Sequence, residues 1–258
     1  MSQIALADQA EISERSAFGE PSNLSMLERA SRGVKKARAL VAALKLIGDP
    51  NKLDQVFEIA DEIATPEVMD SILNDIAKTV SGRRAIAART RVGTMDLKVL
   101  GALPEGTLGH AFAQHMLKNK LDPSALPNRP SRDAREFLQA HLYETHDIWH
   151  VATGFEADVA GELGLQAFYL AQLPVRLAPA LLGGGFFNTM LFAWSDRDRR
   201  MQAIVRGWLL GRRAKALFGV DWKTLWATPL EDVRHQLGID VETVEAVLAS
   251  FEPATAAA

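Results

Sequence analysis

The chain of 258 residues contains no cysteine, and its charged side chains nearly balance. The absence of cysteine excludes disulfides, thiolate metal ligands and a thiol nucleophile, and it is compatible with a reducing compartment. Since 29 lysines and arginines stand against 32 aspartates and glutamates, the formal net charge is only -3. Such a chain has no overall field that attracts nucleic acid, so we expect no nucleic-acid partner.

Strand patterns are also scarce, because no stretch alternates apolar and polar residues for long between turn residues. No glycine-rich phosphate loop or dinucleotide-binding fingerprint follows a strand. Apolar residues instead recur at helical spacing, and 48% of the residues are hydrophobic, which is enough for a sizeable core. The sequence therefore predicts an all-α fold, with a single multi-helix domain at 24–250, a flexible N-terminal tail at 1–23 and a disordered tail at 251–258.

Residues 177–194 form an uncharged stretch that would be long enough to span a bilayer. Pro179, the glycines at 183–185 and Asn188 interrupt it, so the pattern predicts two short apolar helices. These either pack in the core or form an interfacial surface or the wall of an isoprenoid-binding groove. Because residues 1–23 lack the basic start and apolar core of a targeting segment, we expect a cytoplasmic protein peripheral to the inner membrane.

Capping residues predict where several helices begin. Thr65 and Thr107 are each expected to cap a helix, and Ser131 is expected to cap the long helix that leads into the richest cluster of polar side chains. Ser195 is predicted to begin another long helix that ends at about residue 218.

That cluster contains four side chains capable of binding a metal ion. On a helix, His146 and His150 lie four positions apart on one face, and Asp147 lies three before His150. Gly154 is typical of a left-handed helix end, so a helix hairpin is expected in which Glu162 lies level with the histidines. A lone histidine is usually a surface or core residue, but two imidazoles with one or two carboxylates predict a divalent metal site. The ligand set does not decide which metal is bound; we expect zinc or iron, with magnesium as an alternative.

The motif H-D-x-x-H, followed after eleven residues by glutamate, resembles the metal-binding signature of the coenzyme Q (ubiquinone) biosynthesis protein 4 family. The turn at 103–109 and the segment at 229–239 also resemble that family's pattern, and the resemblance covers roughly residues 25–240. It implies an all-helical protein, peripheral to a membrane and often part of a multi-protein complex. The step assigned to the family is oxidative decarboxylation at ring carbon 1 of a polyprenylated hydroxybenzoate-type intermediate of ubiquinone synthesis.

The chain departs from the family at positions that bear on the substrate. Where the family tends to carry arginines just before the histidine–aspartate pair, and an arginine after the turn at 103–109, this chain has other side chains. Those replacements, together with two aromatic residues after Glu162, are our candidate substrate contacts: His110, His141, Tyr143, Phe168 and Tyr169.

Three functions are compatible with these residues. In the first, an enzyme holds a metal with His146, His150 and Glu162, Asp147 is a fourth ligand or an outer partner, and His146 and Asp147 take part in catalysis. In the second, a non-catalytic membrane-peripheral scaffold with a structural metal binds prenylated quinone intermediates and organises other quinone biosynthesis proteins. The third, a metal-dependent phosphohydrolase, lacks the additional distant ligands such sites recruit. Expected partners are a prenylated aromatic quinone precursor, membrane lipid, other quinone biosynthesis proteins and a second copy in a homodimer.

Overall fold

Helices account for the regular secondary structure of residues 64–125 and 131–250, which are the residues that the computed structural model describes. This confirms the predicted all-α fold, and these residues belong to one compact unit. The predicted tails at 1–23 and 251–258, and the helices expected before residue 64, lie outside the described residues. The helices are α1 (Pro66–Ile76), α2 (Val80–Ala88), α3 (Leu97–Gly101), α4 (Leu108–Lys118), α5 (Ala134–Thr153), α6 (Val159–Gln172), α7 (Leu177–Phe192), α8 (Arg197–Arg213), α9 (Leu230–Leu237) and α10 (Val241–Ala249).

The N-terminal ends of three helices test the predicted caps. Thr65 and Thr107 cap α1 and α4 as predicted, because each hydroxyl accepts a hydrogen bond from an amide of the first turn. The prediction for α5 is wrong, since Asp133 rather than Ser131 is its N-cap. The Asp133 carboxylate accepts a hydrogen bond from the Glu136 N–H at 2.9 Å. A carboxylate there satisfies a free amide and also carries the charge that a helix N-terminus favours.

Helix α8 is shorter than predicted at both ends. Ser195 lies in a short 3₁₀ turn before it, and the helix ends at Arg213. The side-chain amide of Gln172 on α6 donates to the Gly211 carbonyl at 2.8 Å and accepts from the Leu217 N–H at 3.0 Å. A side chain from a neighbouring helix thus takes over the hydrogen bonds that would otherwise continue α8, which local sequence patterns do not reveal.

Helix α7 corrects the prediction of two short apolar helices, since it is continuous from Leu177 to Phe192. Pro179 lies in its first turn, where a missing N–H costs no helical hydrogen bond. A Cβ at Gly185 would lie 2.2 Å from a methyl carbon of Leu163, so this glycine permits close packing against α6 rather than a break. None of the helices in residues 64–125 and 131–250 has both the length and the apolar character required to cross a bilayer.

Helix α6 is fixed by an unusually close approach of α8. A Cβ at Gly207 would lie 1.9 Å from the Gly164 carbonyl oxygen, and one at Gly211 would lie 2.9 Å from the Phe168 carbonyl oxygen. Larger residues at these positions would force the helices apart. The contact therefore sets the position of α6, and with it the position of Glu162, relative to the rest of the core.

Candidate metal centre

The end of α5 determines how His150 faces its surroundings. Gly154 has a φ of 72°, the left-handed conformation predicted from the sequence, and it ends the helix. The Phe155 carbonyl oxygen then lies 3.1 Å from Nδ1 of the fully buried His150. A carbonyl oxygen only accepts hydrogen bonds, so Nδ1 carries the proton and Nε2 is directed elsewhere. A backbone partner on one ring nitrogen is the usual way in which a metal-binding histidine is oriented.

The start of α6 brings Glu162 to the two histidines. Asp158 caps the helix by accepting a hydrogen bond from the Gly161 N–H at 2.9 Å, and Glu162 follows one residue later. The Glu162 carboxylate oxygens lie 3.1 Å from His150 Nε2 and 3.6 Å from His146 Nε2. The predicted convergence of these three side chains across the turn is therefore present, because both helices are regular up to the residues that flank it.

The three side chains fit a divalent metal ion. Their ligand atoms all lie within 4.8 Å of one another. Ligand atoms arranged tetrahedrally at about 2.1 Å from an ion would be about 3.4 Å apart, close to the separations found here. Nδ1 of His150 donates its proton to a carbonyl, so Nε2 faces the Glu162 carboxylate in one of two states. It carries a second proton, which makes the ring an imidazolium, or it presents a lone pair. A lone pair is tolerated there only if a cation lies between the two atoms.

Asp147 contributes no atom to this group of converging ligands. Its negative charge nevertheless acts on the site. Burial alone would lower the pKa of His146, but the interaction with Glu162 and the charge of Asp147 raise that pKa to about 9. The sequence left two roles open for Asp147. This arrangement favours a carboxylate that acts on the ligand His146 from outside the metal site over a fourth metal ligand.

The Glu162 carboxyl group is held in its ionised form. Burial would raise its pKa, but its interactions with His146 and His150 lower that pKa far below the usual range of a glutamate. A carboxylate that stays ionised between two imidazoles is stabilised by nearby positive charge. Protons on the imidazoles or a bound metal ion can provide that charge.

Aromatic rings form one wall of the site. The ring of Tyr169 is parallel to that of His146, with centroids 6.1 Å apart, and stacks on Trp149 at 4.4 Å. Burial and the charges of Asp147 and Glu162 raise the pKa of Tyr169, so its phenol stays protonated and can donate a hydrogen bond. Phe168 is fully buried behind this wall, against Trp149.

Two of the remaining candidate substrate contacts have partners elsewhere in the fold. His141 is fully buried, its Nε2 accepts a hydrogen bond from the Gly219 N–H at 3.0 Å, and its ring packs edge-on against Phe218. Burial lowers the pKa of His141 to about 4, so it is a neutral core residue at physiological pH. His110 Nδ1 lies 3.1 Å from the Leu103 carbonyl oxygen, and Tyr143 is half-buried on α5. These contacts favour packing roles for His110 and His141.

His115 on α4 is a neighbour of the site that the sequence analysis missed. Its ring stacks on His150 with centroids 5.5 Å apart, and its Nε2 is buried without a hydrogen-bond partner. Burial and the nearby His150 lower its pKa, which keeps it neutral. The only signal in the sequence is its spacing from the buried Phe112 and Met116, which places it at the edge of the apolar face of α4.

Similarity to known proteins covers the site together with most of the chain. The profile of the family described as coenzyme Q (ubiquinone) biosynthesis protein Coq4 matches residues 26–243. A mitochondrial ubiquinone biosynthesis protein COQ4 homolog of Aedes aegypti is 25% identical over 229 residues, covering 86% of this chain and 81% of its own. The corresponding coq-4 protein of Caenorhabditis elegans is 27% identical over 206 residues, with coverages of 77% and 87%. The crystal structure of a candidate ubiquinone biosynthesis protein from Nostoc punctiforme matches with a TM-score of 0.69 at 28% identity, covering 80% of this chain and 98% of that one.

Proposed function

Because this chain belongs to the coenzyme Q (ubiquinone) biosynthesis protein Coq4 family, we propose that it is a metal-dependent enzyme of ubiquinone synthesis. Its substrate is a polyprenylated hydroxybenzoate-type intermediate, and its reaction is oxidative decarboxylation at ring carbon 1. The bond between this carbon and the carboxyl carbon breaks, carbon dioxide leaves, and a hydroxyl group takes its place. Dioxygen accepts the two electrons, so that in net terms the acid, water and dioxygen give the phenol, carbon dioxide and hydrogen peroxide. The observation that carries the proposal is the convergence of His146, His150 and Glu162 at the spacing of metal ligands.

In this proposal each side chain has a defined role. His146, His150 and Glu162 hold the ion, which supplies Lewis acidity toward the substrate oxygens and, if it is iron, redox chemistry as well. The Phe155 carbonyl keeps His150 in the tautomer that ligates through Nε2. Asp147 balances charge beside His146, and the protonated phenol of Tyr169 can donate a hydrogen bond to an anionic head group. Three protein ligands leave positions free for that head group, as in catalytic rather than structural metal sites.

A product assay tests the proposed reaction. Metal-loaded protein, incubated aerobically with a prenylated 4-hydroxybenzoate-type substrate, should release carbon dioxide and form the hydroxylated ring, both detectable by mass spectrometry. Glu162→Gln should form no product, whereas His235→Gln, at an exposed histidine on α9, should match the wild type. Metal-loaded wild type that binds the substrate without converting it would contradict the enzymatic proposal and favour the scaffold.

Asp147→Asn separates metal binding from catalysis. Since Asp147 lies outside the converging ligand group, the variant should retain the metal. It should lose product formation, because the amide no longer balances charge beside His146 or accepts a proton. Loss of metal from Asp147→Asn would instead make Asp147 a ligand.

The second candidate function, a membrane-peripheral scaffold for prenylated intermediates, is favoured by a different surface. Helices α7 and α8 and the turn between them expose large apolar side chains, of which Phe192 and Trp194 are 66% and 64% exposed. Exposed apolar surface of this kind marks sites that bind a membrane, a lipid tail or another protein. Arg197 lies over the Trp194 ring at 5.1 Å, a cation beside an aromatic ring that suits a lipid head-group region. The members of this apolar face are Phe186, Phe187, Met190, Leu191, Phe192, Trp194, Met201, Val205 and Trp208.

We assign the apolar face to contact with membrane lipid and with the substrate's prenyl tail. Phe168, one of the substrate contacts predicted from the sequence, is fully buried in the core and exposes no surface for the tail. The exposed side chains of α7 and α8 are therefore better candidates for tail contacts. The proposed enzyme and the proposed scaffold share this surface, and the product assay distinguishes them.

A further inference from the structure

The C-terminal end of α5, which carries His150, is held by two arginines from distant helices. Arg234 on α9 donates to the Ala152 carbonyl at 2.9 Å and to the Val151 carbonyl at 3.2 Å. Arg206 on α8 donates to the carbonyls of the next two residues, at 3.1 Å and 3.4 Å. The last carbonyls of a helix lack partners within the helix and form its negative pole, so two guanidinium groups stabilise this end.

The two arginines differ in what else they touch. Arg234 contacts carbonyls that precede the turn, whereas Arg206 contacts the turn itself at residues 153 and 154. The Arg206 guanidinium also lies over the Phe155 ring, 4.5 Å from its centroid. Arg206 Nε is 2.6 Å from a Glu245 carboxylate oxygen on α10. Arg206 therefore joins the turn after α5 to the last described helix.

The turn that Arg206 holds is the part of the chain that orients His150. The Phe155 N–H donates to the His150 carbonyl at 3.1 Å, and the Phe155 carbonyl oxygen lies 3.1 Å from His150 Nδ1. The Phe155 ring is confined further by Gly164, where a Cβ would lie 2.4 Å from a ring carbon. A shift of Phe155 would therefore move the one backbone carbonyl that fixes the His150 tautomer.

We propose that Arg206 is a positioning residue for the metal centre, acting through Phe155 on His150. By bonding the carbonyls of the turn and covering the Phe155 ring, it keeps the Phe155 carbonyl against His150 Nδ1 and leaves Nε2 directed at Glu162. The consequence for metal affinity rests on the proposed function, whereas the consequence for the order of the turn at Gly154 and Phe155 does not.

The test compares Arg206→Met with Arg213→Met in the full-length chain. Methionine preserves length and apolar packing but removes the hydrogen bonds and the charge. Arg213 is on the same helix, half-exposed, and 3.6 Å from Asp240, so its replacement removes a similar charge without touching the turn. The first readout is the hydrogen-exchange rate, in metal-free protein, of the Gly154 and Phe155 amides, which donate to the His150 carbonyl at 2.8 Å and 3.1 Å. The second is the zinc dissociation constant from competition with a chromogenic chelator.

Wild type and Arg213→Met should exchange these two amides at the same slow rate, and their zinc dissociation constants should agree. In Arg206→Met both amides should exchange faster, and zinc should bind about tenfold more weakly, the lower end of the range for groups that orient metal ligands. Unchanged exchange and affinity in folded Arg206→Met would overturn the proposal. Wild type that binds no zinc would contradict the proposed metal function, while the exchange rates would still test the role of Arg206.

Glu245→Gln provides the same test if Arg206→Met fails to fold. It removes only the ion-pair partner of Arg206, on a side chain that is 53% exposed, so the core is left intact. The expected changes have the same direction and are smaller, at most about fivefold in zinc affinity. Wild-type exchange rates at Gly154 and Phe155 in Glu245→Gln, together with an unfolded Arg206→Met, would show that Arg206 serves stability alone and would overturn the proposal.

Discussion

The metal centre and the apolar face of α7 and α8 are opposite exceptions to the usual distribution of side chains. At the candidate metal centre, the fully buried His150 lies against the ionised carboxylate of Glu162, whose side chain is 40% exposed, and a buried polar group without a partner is costly. On the apolar face, Phe192 and Trp194 lie largely in solvent. Each region is therefore incomplete alone, and each calls for a different occupant: a cation in the first, hydrocarbon in the second.

Helix α6 connects the two regions. Helix α6 carries Glu162 and also packs against α7 through Leu163 and Gly185. An amphipathic substrate could thus place its polar ring at one region and its tail at the other, which is the division that a prenylated benzoate requires.

Removal of a ligand should abolish metal binding and leave the apolar face unaffected. His146→Ala, His150→Ala and Glu162→Ala should each lose metal by well over tenfold in affinity, because even groups that only orient ligands contribute tenfold or more. Elemental analysis after dialysis measures the loss, with His235→Ala as the exposed-histidine control. A triple variant that retained stoichiometric metal would remove these residues from the site.

Acid should weaken metal binding through His146. Its pKa is raised to about 9 in the metal-free protein, so below that pH a proton competes with the metal, and above it competition ends. Apparent affinity should therefore fall by about tenfold per pH unit between pH 9 and pH 7. Glu162 stays ionised over this range and adds no dependence of its own. Isothermal titration with zinc at several pH values would measure how the affinity changes with pH. An affinity that does not change would contradict the assignment of the competing proton to His146.

Tail length should control substrate affinity through the apolar face. A buried methylene contributes about 0.8 kcal/mol, so one added isoprene unit should tighten binding by about tenfold or more. Tryptophan fluorescence titrations with one benzoate ring and tails of increasing length would measure this. Equal affinities across the series would show that the tail is not bound by the apolar face.

Single changes on the apolar face should reduce membrane binding. Leu191 and Leu117 are exposed to 58% and 60%, but only Leu191 belongs to the apolar face. Leu191→Ser should therefore weaken flotation with liposomes by about tenfold at most, since a fully buried leucine contributes about 1.5–3 kcal/mol and only part of the Leu191 side chain is exposed to be buried. Leu117→Ser is the matched control. Equal losses in both variants would show non-specific adsorption.

Features that depend on nearby residues were predicted well from the sequence. The all-α fold, the left-handed helix end at Gly154, and the convergence of His146, His150 and Glu162 all follow from the helical period and rise across one short turn. The predictions that failed concern Ser131 as a cap, the break within α7 and the two ends of α8. In the first two, a competing cap or a packing contact replaced the pattern that the sequence favoured, and the C-terminal end of α8 is set by hydrogen bonds from Gln172.

Features that depend on distant segments could not be predicted. His115 comes from α4, and Arg206 and Arg234 come from α8 and α9, so nothing in their local sequence connects them with His150. The glycines of α7 and α8 were ambiguous for the same reason. A glycine breaks a helix in isolation, but it permits a close crossing when a partner helix is present.

The sequence by itself determined the helices and the spacing of the three candidate metal ligands, because helix geometry relates residues a few positions apart without reference to the rest of the chain. Only the tertiary structure decided which histidine is fully buried, which ring nitrogen faces Glu162, and which arginines hold the turn. Those properties arise from side chains of several helices meeting in one place, where burial and hydrogen bonding set charge and orientation.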